Sequence, residues 1–356
     1  MTNPLRSGRL PVLLFLFAAM GLLALSPYAA ANPPGFGGSF DEVVRLATKE
    51  GKVHFGSSLR LDEAKLVLEG FEKAYPKIKV EYIPGVDGQV SERILTEATG
   101  GLVEYDLVNV PSGLQSRFRK AGVFAGPLEW RKRYPKAPGE HFSPDNYLAV
   151  VSFIPRVIAY NPSLVPPDRV PKSWQDCLDP YWKGRFIVRI RPHAFVGLWY
   201  AWGEEKIIQY VKRLKENQPI WGRGSYDESA VQITAGEVPM MCGIHYTTVF
   251  NVLRRDPQAK IAAVFPTETP VGMGETIVIL KGAKSPNAAF LLAGWLASLE
   301  GQKGYEKIGR ASPFIEGTEM RKKLQKASVK IFFGGWEEEQ YAPQRTTKIV
   351  SAWGFR

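Results

Sequence analysis

The chain has 356 residues, 45% of them apolar and 23% charged, with a formal net charge of +11. This length sets one large or two medium domains, and the ordinary composition, without internal repeats, excludes low-complexity and solenoid classes. The basic residues are scattered, with only Arg131-Lys132-Arg133 and Arg321-Lys322-Lys323 as short groups, which read as solvated surface and exclude nucleic acid as a partner.

The N-terminus reads as a targeting segment. Arg6 and Arg9 precede an apolar run from Leu10 to Leu25, and Tyr28-Ala29-Ala30-Ala31 offers small residues for cleavage. The run falls short of the roughly 20 residues of a spanning helix. Residues 1–31 are therefore expected to be a signal peptide, which implies export to the periplasm. Removing Arg6 and Arg9 takes the net charge from +11 to +9. Asn32 to Ser39 is rich in Gly and Pro and reads as a disordered start of a lead-in, residues 32–50, that ends in a short amphipathic helix from Phe40 to Lys49.

Strand and helix then alternate. Lys52-Val53-His54-Phe55 reads as a strand ending at Gly56-Ser57-Ser58. Asp62 is read as the N-cap of a helix through Tyr75, stopped by Pro76. Ile78 to Ile83 alternates as a strand, Ser91 is read as a second cap, Tyr105 to Val110 is a strand and Leu114 to Ala121 a helix. Such alternation at short spacing predicts a mostly parallel sheet with helices on both faces. Tyr147 to Ile158 is a long β-rich run. Phe186 to Arg191 is a two-faced strand, with Ile187, Arg189 and Arg191 on one side, followed by a helix from His193 past Trp202 and another from Ile207 to Leu214. Ser225 to Thr234 is helical, Gly236 stops it, and Val238 to Ile244 is an uncharged run of buried-strand length, with His245 and Tyr246 at its carboxyl end. Ile261 to Pro266 is read as a strand returning to the first lobe. Thr276 to Leu280 follows, and then a helix opened by Pro286. Cys177 lies in a turn-rich stretch and Cys242 in the buried strand; an oxidising compartment would let them pair, and two separate thiols is the reading preferred over a bridge.

Three stretches carry a family resemblance. Gly236-Glu237-Val238-Pro239 leads through a strand to Tyr246. Pro171-Lys172-Ser173-Trp174, Asp179-Pro180 and Trp182-Lys183-Gly184 form a Trp-rich turn. Leu280-Lys281-Gly282-Ala283 leads to Glu300-Gly301-Gln302. Together they resemble the periplasmic solute-binding proteins of ABC importers, in the branch that includes the ferric-ion-binding proteins, over roughly residues 51 to 315. The resemblance implies an α/β, two-lobed periplasmic-binding-protein fold of type II, each lobe a mostly parallel sheet flanked by helices. Residues 51–150 plus 270–315 would form lobe 1 and 155–265 lobe 2, hinged together, with 316–356 a C-terminal helical segment packed on both. It also implies a monomer that delivers its solute to an inner-membrane ABC permease and carries no cofactor of its own.

Ligands of open α/β sheets bind at the carboxyl ends of the strands. The candidate site residues lie there: Ser57, Ser58 and Arg60 after the first strand; Arg189, Arg191, His193 and Ala194 after the two-faced strand; Ser225 and Tyr226 in the stretch Arg223 to Asp227; and His245 and Tyr246. Guanidinium groups beside helix N-termini suit a small anion such as a phosphonate, phosphate ester or carboxylate. The ferric-binding relatives use two adjacent tyrosines. Tyr246 matches the first, Thr247 replaces the second, no histidine stands near Leu59-Arg60, and Pro111 occupies the place of the acidic ligand. Ferric iron or a ferric chelate, with Tyr246 as its metal ligand, is thus the alternative cargo. A ligand-sensing subunit for a receptor kinase is an alternative of another class. No hydrolase elbow, His-Glu-x-x-His or metal-spaced cysteines occur, which argues against an enzyme.

Overall fold

Apolar strands and capped helices alternate through the computed structural model, which describes residues 35–355, all within one compact unit. The expected signal peptide lies outside the described residues. In chain order, the first half comprises α1 (Phe40–Glu50), β1 (Lys52–Gly56), α2 (Leu61–Ala74), β2 (Lys79–Ile83), α3 (Gly88–Thr99), β3 (Leu107–Asn109), α4 (Ser112–Lys120), α5 (Trp130–Arg133), β4 (Leu148–Val150) and β5 (Phe153–Tyr160). Then come β6 (Phe186–Arg189), α6 (His193–Glu216), β7 (Ile220–Gly222), α7 (Tyr226–Thr234), β8 (Met240–His245), α8 (Tyr246–Arg255) and β9 (Ala262–Val264). The chain ends with β10 (Glu268–Met273), β11 (Thr276–Ile279), α9 (Pro286–Leu296), α10 (Leu299–Glu306), α11 (Glu319–Lys326), β12 (Lys330–Phe332) and α12 (Gly335–Ala352).

The strands form two sheets, one per lobe. The five-stranded sheet has the order β2-β1-β3-β11-β4, and the seven-stranded sheet the order β12-β10-β5-β8-β6-β7 with β9 beside β5. The expected parallel pairing holds for β2-β1-β3 and for β7-β6-β8. Around the lobe-to-lobe connections the pairs β3-β11, β11-β4, β10-β5 and β5-β8 are antiparallel, so both sheets are mixed. The long run from Tyr147 to Ile158 breaks at Val151-Ser152, between β4 in one sheet and β5 in the other. The return passes through Gly274-Glu275, not directly after β9, because β10 first adds to the second sheet. The two connections are bonded to each other: Val151 N–H to Glu275 O at 3.0 Å, Gly274 N–H to Ser152 O at 2.8 Å, and Glu275 N–H to Ser152 Oγ at 2.8 Å.

Several local expectations shift. Arg60, not Asp62, occupies the cap position of α2, with the Glu63 side chain accepting from its N–H. Asp87, not Ser91, caps α3 by accepting from Gln89 and Val90 N–H. Residues 35–39 are tied down: Arg133 donates to Gly37 O and Gly38 O, and Phe36 packs on Phe290. The C-terminal segment is more than helical, since β12 pairs parallel with β10. Cys177 and Cys242 form a disulfide, their Cα atoms brought to 6.5 Å by the packing of the Trp-rich turn on β8. Within that turn Trp174 is fully buried and donates to Glu268 O, while Tyr210 donates to Trp174 O. α6 is broken at Gly203, where the backbone turns to φ 75°, matching the helix boundary expected between Trp202 and Ile207.

Candidate functional site

Between the lobes lies a cavity of about 510 Å³, lined by Arg60, Arg189, Arg191, Arg223 and Arg310. Ile154, the run from Gly224 to Asp227, His245, Thr247, Thr248 and Asn251 complete the lining. The strand ends position these groups. Val188 faces the second core, so the alternation of β6 turns Arg189 to the opposite face, where Arg191 also lies beyond the strand end. Ser225 caps α7 by accepting from Glu228 N–H, which sets Tyr226 in the first turn facing inward. In β8, Cys242 pairs with Ile158 and Ile244 with Val157, which leaves Gly243 as a bulge. Its φ of 93°, and an Ala194 Cβ that would lie 2.8 Å from any Cβ there, require glycine. Bulges next to sites re-aim side chains, and here the residue re-aimed is His245.

The electrostatics are one-sided. Five guanidiniums face the cavity against one lining carboxylate, Asp227. Arg60 is paired with Asp62 at 3.2 Å and Glu63 at 3.1 Å, whereas Arg189, Arg191, Arg223 and Arg310 have no ion pair among the described residues. The Arg189 guanidinium lies 4.3 Å above the Tyr226 ring, which packs against His245 with ring centres 4.0 Å apart and planes tilted by 38°. Burial first, then Arg156, His193, Arg310 and Arg189, hold the His245 imidazole well below its ordinary value, so it is neutral at pH 7. Five lining residues carry buried polar atoms with no hydrogen-bond partner among the described residues: Arg189 Nε, Tyr226 Oη, His245 Nε2, Asn251 Oδ1 and Arg310 Nε. Buried polar groups are ordinarily satisfied, so this concentration marks groups that await a ligand. At the cavity edge the lobes touch, with Asn251 donating to Glu63 at 3.3 Å and Arg254 lying 3.7 Å from Asp62.

Of the expected site residues, Arg60, Arg189, Arg191, Ser225, Tyr226 and His245 line the cavity. The others do not. Ser57 is buried and bonded to Glu275, and Ser58 faces solvent. Ala194 packs against Gly243. His193 is exposed and is not part of the lining; the surrounding protein, then Arg156, Arg189 and Arg191, push its imidazole down to about 4. Tyr246 lies on the far face of α8, where Lys323 donates to its Oη at 2.9 Å and Phe265 packs on its ring. Its neighbours there, Val249, Phe250 and Leu253, follow helical spacing, whereas Thr247, Thr248 and Asn251 take the cleft face. That spacing was the available signal for the three missed residues. Arg310, also missed, sits in the glycine-to-proline loop after α10 and had no signal beyond its charge. Among the described residues no group of three or more His, Cys, Asp and Glu is placed to hold a metal ion.

Residues 60–303 match the family described as bacterial extracellular solute-binding protein. The chain belongs to that family. Iron uptake protein A1 of Synechocystis is a relative of this solute-binding protein, 23% identical over 260 residues, covering 69% of this chain and 71% of its own. The Trichodesmium IdiA (FutA) protein, solved in complex with iron and citrate ligands, superposes with a TM-score of 0.66 at 19% identity, over 86% of this chain and 100% of that one. Ferric iron-binding protein A of Mannheimia haemolytica, in an open conformation, gives a TM-score of 0.69 at 17% identity, over 86% and 99%. The two-lobed type II fold of this solute-binding protein is thereby established.

Proposed function

We propose that this solute-binding protein captures a small anionic solute, bearing carboxylate, phosphate or phosphonate groups, in the periplasm and delivers it to an inner-membrane ABC permease. The observation that carries this reading is the arginine cleft, with four of its five guanidiniums lacking an ion pair among the described residues and the neighbouring polar atoms unpartnered. Bidentate guanidinium–oxyanion pairs are strong and planar. Lobe closure follows because only the closed state lets both lobes touch the solute.

A second reading is an iron cargo, and the names of the relatives favour it over a free organic anion. Bare Fe³⁺ would meet five cationic groups in this cleft, so the iron enters as a negatively charged chelate. Both readings are tested on protein unfolded and refolded to strip carried-over ligand, with thermal shift measured against phosphonates, phosphate esters, di- and tricarboxylates, and ferric ion with and without citrate. A ligand at 100 times its dissociation constant adds about 2.7 kcal/mol. Stabilisation by a metal-free anion supports the first reading, and stabilisation by ferric citrate alone the second. No shift with any anion, chelated iron included, overturns both.

A further inference from the structure

The cleft also holds a pair of metal donors. We propose that a ferric chelate carried here is ligated by Tyr226 and His245, and not by Tyr246. This rests on the reading that the arginines hold an anionic chelator. Tyr226 Oη and His245 Nε2 are both buried, both without a hydrogen-bond partner among the described residues, and belong to rings that line the cavity with their centres 4.0 Å apart and their planes tilted by 38°. Tyr246 is the residue that sequence position suggests, but it faces a separate pocket on the other side of α8. There Phe265 packs on its ring and Lys323 occupies its hydroxyl.

The chemistry of the pair fits a hard trivalent ion. Imidazole suits iron, and phenolate supplies the anionic oxygen that a ferric ion prefers. Coordination through the Tyr226 oxygen would release its phenolic proton to solvent, and the Arg189 guanidinium 4.3 Å over the ring would offset the charge that appears. Two protein donors leave the rest of the coordination sphere to chelator oxygens. The site therefore needs no cluster of acidic ligands, and the described residues show none.

The test is a titration of refolded, metal-free protein with ferric citrate, followed by visible absorption. A tyrosinate-to-iron charge-transfer band is expected in the wild type and in Tyr246→Phe, and is lost in Tyr226→Phe. His245→Gln weakens ferric citrate binding at least about tenfold, a loss of ~1.4 kcal/mol. Far-UV circular dichroism and the unfolding midpoint show that each variant is folded. The proposal falls if the band survives in Tyr226→Phe, disappears in folded Tyr246→Phe, or never appears although ferric citrate binds. Should metal-free citrate stabilise the protein while iron adds no band, the anion reading stands and this one fails. Should neither bind, both fail together.

Discussion

Two strand-to-helix turns look alike in sequence and differ in the fold. The turn from β1 to α2 carries Ser57, Ser58 and Arg60; the turn from β6 to α6 carries Arg191 and His193 just after Arg189. In the first, Ser57 N–H donates to Ile83 O, Ser57 Oγ bonds Glu275, Leu59 N–H donates to Ser57 Oγ, and Tyr82 donates to Leu59 O. The turn is internally satisfied and fastened to the lobe connection. In the second, Arg189 Nε has no partner among the described residues and Arg191 is exposed at the cavity wall. Polar residues at a strand end therefore mark a binding site only when groups remain after the local hydrogen bonds are counted. Of the first turn, only Arg60 projects into the cleft.

The largest effect is expected at the open turn. In Arg189→Ala/Arg191→Ala, anion binding is expected to weaken at least ~100-fold, since each charge-assisted hydrogen bond contributes about 1.5–3 kcal/mol. The unfolding midpoint should change little, because neither side chain is in an ion pair among the described residues. Calorimetric titration with the best anion from the stability panel is the check. An affinity within about threefold of wild type would erase the distinction between the two turns.

Most of the lobe architecture was legible because apolar periodicity and family motifs agree over the same residues. Val53 and Phe55 of β1, and Ala64, Val67, Leu68 and Phe71 of α2, are all buried as the spacing requires. The site was legible in part. Charge and strand-end position found Arg60, Arg189, Arg191 and His245, and the capped entry to α7 found Tyr226. The resemblance assigned Tyr246 to the cleft, but the first residue of α8 points away from it. Which way a helix faces depends on the bulge at Gly243 and on Lys323, 77 positions along the chain, and neither is visible in local spacing. The disulfide was missed for the same reason, since Cys177 and Cys242 are 65 residues apart and are joined only by tertiary packing.

Acid separates the buried core from the charged wall. His141 is fully buried against Ser312, and that burial pushes its imidazole down to about 3. His193 and His245 are depressed by burial and by neighbouring arginines. A histidine lowered in the folded state contributes stability that is complete above its unfolded value of about 6.5 and is lost as pH falls toward the folded value. Stability should therefore decline between pH 6.5 and 5, above the range in which ordinary carboxylates titrate, with His141 alone accounting for about 2 kcal/mol. Denaturant unfolding at half-unit pH steps would show it. His141→Gln should flatten part of the slope. A bound anion should flatten part of what remains, because it offsets the arginines around His245. A profile level to pH 5 would mean that these imidazoles are not held neutral.

The smallest effect is expected at the satisfied turn, where it falls on stability instead of binding. Ser57→Ala removes the hydroxyl that bonds one Glu275 oxygen, while Tyr305 still donates to the other at 3.1 Å. Glu275 is buried, and that burial raises its carboxyl above the ordinary range even with Arg310 nearby. Leaving one oxygen unpartnered costs about 1–3 kcal/mol. Ser57 does not line the cavity, so anion affinity should stay within about threefold of wild type while the unfolding free energy falls. The raised carboxyl also gives the loss a direction. With its hydrogen-bond donor gone, the Glu275 carboxylate is less supported, so its value rises further in the folded state. The deficit should then grow as pH increases through that value and shrink in acid. If Ser57→Ala instead lost affinity with stability intact, the first turn would belong to the site, and its hydrogen bonds to Glu275 would be the means by which the lobe connection registers the bound solute.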